Sequence, residues 1–209
     1  MIEKGCNLKV RNYRQNCALA RASDLLGERW TMLIVRDLLV SPRRFSELEK
    51  RLKGMGANLL TRRLKDMAVA GLVETGEARE PYRLTEKGRS LEPMVLEMIK
   101  WSLRWARSPA DPDGLHFPDW DLLALKALFV PNDDLKSPVL AQFRHEDWSA
   151  WVRVTSDNYS SGLGEPVANG DVLFPCSISH LRHSSIVLEK LPENQLEAAA
   201  CFMSAFSLK

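Results

Sequence analysis

One stretch, residues 41–89, constrains the fold of this chain more than any other part of it. It contains two short helical patterns separated by a turn at Gly54 and Gly56, with the first helix expected over residues 45–52. The second, residues 57–70, is amphipathic, because one face carries Leu59, Leu60, Leu64, Met67 and Ala68 while polar side chains occupy the rest. Two helices joined by a tight turn predict a helix-turn-helix core.

A charged hairpin follows this core. Val73, Tyr82 and Leu84 are expected to point inward, while Arg79 and Arg83 lie near the tip. A strand pair directly after a helix-turn-helix has the layout of a wing beside the second helix. The stretch therefore predicts a winged helix-turn-helix.

Helices are also expected on both sides of the core. The first runs from Cys17 to Leu26 with Asn16 as its cap, and the next contains residues 30–39. After the wing, Thr85 is expected to cap a single long helix that reaches Arg107. Its apolar residues spread around much of the circumference, so a second face must be buried against the C-terminal half or, as we favour, a partner subunit.

The charge distribution divides the chain in two. Residues 1–107 hold 22 Lys and Arg against 13 Asp and Glu, a net charge of +9, whereas residues 108–209 hold 7 against 14, a net charge of −7. A basic half attracts a polyanion by releasing its counterions, and an acidic half is repelled from the same phosphates. We expect domains at 1–107 and 122–209, with 108–121, rich in Pro, Asp and Gly, as the linker.

The second half predicts an α+β domain, an antiparallel sheet with helices on one side. Helices are expected at Leu122–Phe129 and Gln195–Leu208, and strands at Val139–Phe143, Trp148–Thr155 and Val172–Phe174. Turns are expected at Asp157, Asn158, Gly162, Gly164 and Gly170.

Several classes of protein are disfavoured. No apolar stretch approaches the ~20 residues of a membrane span, and the first residues lack the apolar core of a signal peptide, so we expect a cytoplasmic protein. Four scattered cysteines do not suit a disulfide scaffold. Neither a nucleophile elbow nor a phosphate-cradling glycine loop is present, so the chain is predicted to be no enzyme and to need no cofactor.

The candidate DNA-binding residues lie around the helix-turn-helix. Side chains of the second helix would reach base edges and phosphates, while those before the first helix and on the wing would contact phosphates. The set is Arg43, Arg44, Ser46, Asn58, Thr61, Arg62, Arg63, Lys65, Arg79 and Arg83. In this set Ser46 could cap the first helix. The alternatives are an ordinary solvated helix face, and an ion pair of Arg44 with Glu47 or Glu28.

Other residues carry weaker signals. Cys17, at a helix start near Arg14 and Arg21, is a candidate redox thiol with Cys6 as a resolving partner, although a small buried apolar residue is the commoner role of a free cysteine. The spacing of Cys176, His180 and His183 is not that of a zinc finger, and we predict no metal site. Trp148 and Trp151 are three apart and cannot line one pocket from a strand.

These motifs resemble the HxlR-type winged helix-turn-helix regulators. The resemblance covers residues 15–107 and rests on CALARASDLLGERWTMLIVRDLLVSPRRFSEL, LLTRRLKDMAVAGLVE and YRLTEKGRSLEPMVLEMIKWSLRW. It implies a homodimer, joined through the first and the post-wing helices, that presents two recognition helices to successive major grooves. Departures are Ala18, where the family usually has proline, and a short wing tip, ETGEAREP. The second half resembles a sterol-carrier-like domain, which implies a ligand pocket.

The sequence thus predicts a dimeric transcriptional regulator, a repressor on a pseudo-palindromic operator, with double-stranded DNA as its partner. A small-molecule effector bound by residues 122–209 would shift its DNA affinity. The alternative is a binding or carrier module for a small hydrophobic ligand that acts through the second half.

Overall fold

The protein forms two compact units, residues 1–95 and 96–209. The computed structural model describes residues 13–74, 80–106, 113–145, 148–166, 169–175, 178, 181 and 191–206. The first part of the chain contains α1 (Ala18–Leu26), α2 (Thr31–Val40), α3 (Phe45–Arg51), α4 (Ala57–Val69), β1 (Val73–Glu74), β2 (Arg83–Leu84), α5 (Glu86–Arg89) and α6 (Glu92–Trp105). The second contains α7 (Trp120–Leu128), β3 (Val139–His145), β4 (Trp148–Val154), β5 (Tyr159–Leu163), β6 (Val172–Phe174) and α8 (Glu193–Ser204).

The core of the first unit is made by the apolar stripes of α2, α3 and α4, together with the wing strands. Its buried side chains include Ile34, Val35, Leu38, Leu48, Leu52, Leu60, Leu64, Met67, Leu72, Val73 and Leu84. Leu59 was predicted to share the apolar face of Leu60, Leu64 and Met67, but it is 38% exposed whereas those three are buried. The buried stripe of α4 follows residues 60, 64 and 67, and a residue one position before Leu60 lies about 100° around the helix.

The helix after the wing is interrupted, which corrects the prediction of a single helix from Thr85 to Arg107. Thr85 does cap α5, since its Oγ1 accepts a hydrogen bond of 3.0 Å from the Gly88 backbone N–H. The first helix ends at Arg89 and the second begins at Glu92. Pro93 explains the break, because a proline has no N–H to donate and its ring clashes with the carbonyl four residues earlier.

A buried ion pair joins α2 to α3. Asp37 is fully buried on α2, and its Oδ1 lies 2.5 Å from Nε of Arg51, which is 8% exposed at the end of α3. Arg36 supplies a second contact, with 2.9 Å between its Nη2 and Asp37 Oδ2. Two cations thus compensate one buried carboxylate, and the pair fixes the packing of the short helix α3.

The second unit is an α+β domain, but its sheet is mixed. The strand order is β5-β4-β3-β6, with antiparallel pairs β5-β4 and β4-β3 and a parallel pair β3-β6. The predicted all-antiparallel sheet was wrong at β6, and the region around Gly162 that was predicted as a turn is strand β5. Gly162 fits there because a Cβ on it would lie 2.8 Å from the Trp151 ring.

One face of this sheet is buried under helices. Phe143 on β3 and Phe174 on β6 stack with ring centroids 5.1 Å apart, and Phe202 of α8 packs on both. On β5 the Tyr159 hydroxyl donates a hydrogen bond of 2.8 Å to the Leu122 carbonyl of α7. All three phenylalanines are fully buried, so aromatic packing fills the space between the sheet and α8.

We expect Asp37→Ala to lower the free energy of unfolding by about 3–5 kcal/mol, because it removes the buried carboxylate that Arg51 and Arg36 both contact. Urea denaturation followed by circular dichroism measures the change. Glu97→Ala is the matched control, since the Glu97–Lys100 pair is exposed and should contribute less than about 1 kcal/mol. Equal effects of the two substitutions would contradict a structural role for the Asp37 pair.

Candidate nucleic-acid interface

The segment before α3 is joined to the wing through its backbone. The Arg43 N–H donates to the Tyr82 carbonyl at 3.1 Å, and the Tyr82 N–H donates to the Arg43 carbonyl at 2.8 Å. This bridge places the start of α3 beside β2, and the Arg43 side chain is half-buried there. These two backbone hydrogen bonds therefore join the wing to the helix-turn-helix.

At the start of α3, the side chain of Glu47, rather than that of Ser46, accepts a hydrogen bond from the backbone. The Glu47 Oε2 accepts a hydrogen bond of 2.6 Å from the backbone N–H of Arg44, the cap residue. The predicted capping by Ser46 was wrong, because Ser46 lies inside the first turn, where a side chain no longer occupies the cap position. Both Ser46 and Arg44 are exposed and remain candidates for phosphate contact.

Four exposed polar residues form a continuous stripe on α4, which we call the recognition face: Asn58, Thr61, Arg62 and Lys65. Their spacing of three, four and seven residues places them on one side of the helix, opposite the buried Leu60, Leu64 and Met67. The Arg62 side chain is 66% exposed and reaches Asp66 only at 4.0 Å. The Thr61 hydroxyl donates to the Ala57 carbonyl at 2.9 Å.

Arg63 lies off this face. Its Nη2 is 2.8 Å from Oε2 of Glu28, in the turn between α1 and α2, and its Nη1 is 3.8 Å from Oδ2 of Asp66. Only 12% of the Arg63 side chain is exposed. The alternative ion pair of Arg44 with Glu28 is not what the structure shows, because Glu28 binds Arg63. Sequence reasoning missed this pairing, since the two residues are 35 positions apart.

The remaining candidates are spread more widely. Arg83 is exposed on β2, opposite Glu74 of β1, while Arg79 lies outside the described residues. Cys17 is exposed at the start of α1, which corrects the alternative of a buried thiol. Cys6 and the Cys176, His180 and His183 cluster also lie outside the described residues.

The described residues offer neither a metal-binding cluster nor a membrane-spanning helix. No group of three or more His, Cys, Asp or Glu side chains in that part of the chain is placed to hold a metal ion. Among the same residues, no helix has both the length and the apolar character needed to cross a membrane.

Known proteins match the first half of the chain. The HxlR-like helix-turn-helix family matches residues 25–109. The HTH-type transcriptional regulator YvaP of Bacillus subtilis is 38% identical over 90 residues, covering 41% of this chain and 83% of YvaP. The regulator Mb3122 of Mycobacterium bovis is 34% identical over 100 residues, covering 46% of this chain and 63% of Mb3122, so the chain spans less than two thirds of that relative.

A solved structure, the reduced form of the regulator YodB from Bacillus subtilis, is 30% identical and covers 46% of this chain and 100% of YodB, with a TM-score of 0.40. The family match ends at residue 109, so the sterol-carrier-like resemblance of the second half is not confirmed. Family members are transcriptional regulators, which confirms the prediction that the protein is no enzyme. This chain belongs to the HxlR-like helix-turn-helix family of DNA-binding transcriptional regulators.

Proposed function

We propose that the protein is a dimeric repressor that binds a pseudo-palindromic operator through the recognition face of α4 and the wing. The observation that carries this proposal is the recognition face itself. Its four polar side chains are exposed on a helix whose opposite face is buried in the core. A helix held in this way can enter the major groove without losing any of its packing.

The chemistry of the recognition face suits base readout. Arg62 has the fork of donors that fits the O6 and N7 acceptors of guanine, and Asn58, one turn earlier, can pair with N6 and N7 of adenine. Lys65 extends the same stripe toward the phosphates. Thr61 presents its methyl group, because its hydroxyl is bonded to the Ala57 carbonyl, and a methyl group can contact that of thymine.

Phosphate contacts would fix the register of the complex. Arg43, Arg44 and Ser46 lie before and at the start of α3, and Arg83 lies on the wing; Arg79 is kept as a candidate from the sequence alone. These residues would position the protein without reading sequence. The net charge of +9 over residues 1–107 supports an affinity that falls steeply with salt.

An operator close to a promoter would place the bound protein in the path of RNA polymerase, which favours repression.

Dimerisation through α6 is supported by an apolar stripe. Met94, Met98, Trp101 and Trp105 are 44%, 50%, 62% and 65% exposed, and their spacing of four, three and four residues places them on one face. Large exposed apolar side chains that form a stripe mark an interaction surface. On α1, Leu19 is 74% exposed, and the family resemblance implies that α1 also takes part in the dimer contact. A twofold dimer would present two recognition helices to half-sites about one helical turn apart.

Two parts of the chain are proposed to regulate DNA binding, the thiol of Cys17 and the domain of residues 122–209. Cys17 is exposed at the start of α1, where oxidation would act close to the proposed dimer contact. An effector bound by residues 122–209 would change operator affinity if it shifted the angle between the two recognition helices of the dimer.

We expect Arg62→Ala to weaken binding to a duplex selected by the native protein from a random pool by about 1–3 kcal/mol, and to relax selectivity at one base position in each half-site. Fluorescence anisotropy across a salt series measures both effects. Arg153→Ala removes the same charge from an exposed position on β4 and should leave affinity nearly unchanged. Loss of affinity in Arg153→Ala alone would move the interface away from α4, and a native protein that selects no sequence would reject the proposal.

We expect Met98→Glu together with Trp101→Glu to convert a dimer into a monomer, because two charges would have to be buried in the contact. Analytical ultracentrifugation measures the mass. Lys100→Glu is the matched control, since Lys100 is exposed on another side of α6 and pairs with Glu97 at 2.8 Å. A native protein that sediments as a monomer, or a double variant that remains a dimer, would contradict this contact.

A further inference from the structure

We propose that Arg63 is a positioning residue, whose ion pair with Glu28 fixes the rotation of α4 so that the recognition face meets the DNA correctly. The inference rests on the proposed function and deepens it. In the complex, Glu28 rather than a phosphate would be the partner of Arg63.

The two adjacent arginines of α4 have different surroundings. The Arg62 side chain is 66% exposed, and its Nε lies 4.0 Å from Oδ2 of Asp66. The Arg63 side chain is 12% exposed, and its Nη2 lies 2.8 Å from Oε2 of Glu28. Moving Arg63 to a phosphate would leave Glu28 without this partner and would break a charge-assisted hydrogen bond, the strong kind in proteins.

The turn that carries Glu28 is itself fixed in shape. Its backbone closes through the Thr31 N–H, which donates to the Glu28 carbonyl at 3.1 Å. Trp30 has a φ of 82°, a left-handed conformation that a bulky residue adopts only when its surroundings hold it there. A turn with one settled conformation is a suitable anchor for a helix.

The apolar core and the turn hold α4 in different ways. Leu60, Leu64 and Met67 are buried in the core, and Glu28 contacts Arg63 in the middle of the same helix. Apolar contacts are not directional and would allow the helix to rotate by small amounts, whereas the ion pair has one geometry and restricts that rotation. Base readout needs that restriction, because a binding constellation must be held within about 10–20° of its productive geometry.

The two roles of Arg63 predict opposite effects of Glu28→Gln. If Arg63 bound a phosphate, Glu28 would compete for it, so removing the carboxylate would tighten DNA binding and add net positive charge. If Glu28 holds Arg63 in place, the same substitution weakens specific binding in spite of the added positive charge.

The test uses the full-length protein and a 30-bp duplex selected by the native protein, with anisotropy measured across a salt series. We expect Glu28→Gln and Arg63→Gln each to weaken binding about tenfold, and the double variant to be no weaker than either, as expected for directly coupled residues. The salt slope should stay that of the native protein, because no phosphate contact is lost. Glu49→Gln, an exposed position on α3, controls for the change in charge.

A second variant separates positioning from a loss of folding. The swapped pair Glu28→Arg with Arg63→Glu should restore affinity to within about threefold of the native value, since partners in contact compensate one another. Thermal melting of each variant shows that it is folded at the assay temperature. A swapped pair as weak as the single variants would overturn the proposal.

Two further outcomes would also overturn it. One is a Glu28→Gln variant that binds as tightly as the native protein or more tightly. The other is a salt slope that falls by about 0.9 in Arg63→Gln, which is the loss of one phosphate contact. In both cases the native protein still selects a sequence, so the proposed function stands. A native protein that selects no duplex fails the proposed function, and the positioning role with it.

Discussion

Burial of the apolar stripe on α4 is the constraint on which the rest of the DNA-binding unit depends. Leu60, Leu64 and Met67 are almost completely buried, and the fixed period of a helix then determines where every other side chain points. Asn58 and Arg62 are exposed because they lie on the opposite side. The same apolar contacts that stabilise the fold therefore present the recognition face to solvent.

Polar interactions fix the relative orientation of the helices that the apolar core brings together. Hydrophobic contacts are not directional, so they allow helices to slide and rotate by small amounts. The buried pair of Asp37 and Arg51 fixes α3 against α2, and the backbone bridge of Arg43 with Tyr82 joins the wing to the start of α3. Glu28 and Arg63 join α4 to the α1–α2 turn. Each contact has one geometry, which is why such pairs suit a surface that must match DNA.

Local patterns predicted most of the helices and strands to within a few residues, because they depend on neighbours in the chain. The bounds of α4 and β6 and the cap at Thr85 follow from spacing and residue type. Two of the errors came from local features that were given the wrong weight. Pro93 marks the break before α6, and Glu47 makes the capping contact at the start of α3 that was assigned to Ser46. The segment around Gly162 was predicted as a turn because glycine is common in turns. The sequence alone does not show that the Trp151 ring lies where a side chain at residue 162 would be.

The sequence by itself determined the winged helix-turn-helix, the exposed stripe of α4 and the separation of charge between the two halves, since periodicity and composition can be read along the chain. Only the tertiary structure decided which charges meet. It paired Arg63 with Glu28, 35 residues away, and left the adjacent Arg62 exposed. It also placed β6 parallel to β3. Such contacts depend on distances between remote parts of the chain, which spacing along a single sequence does not encode.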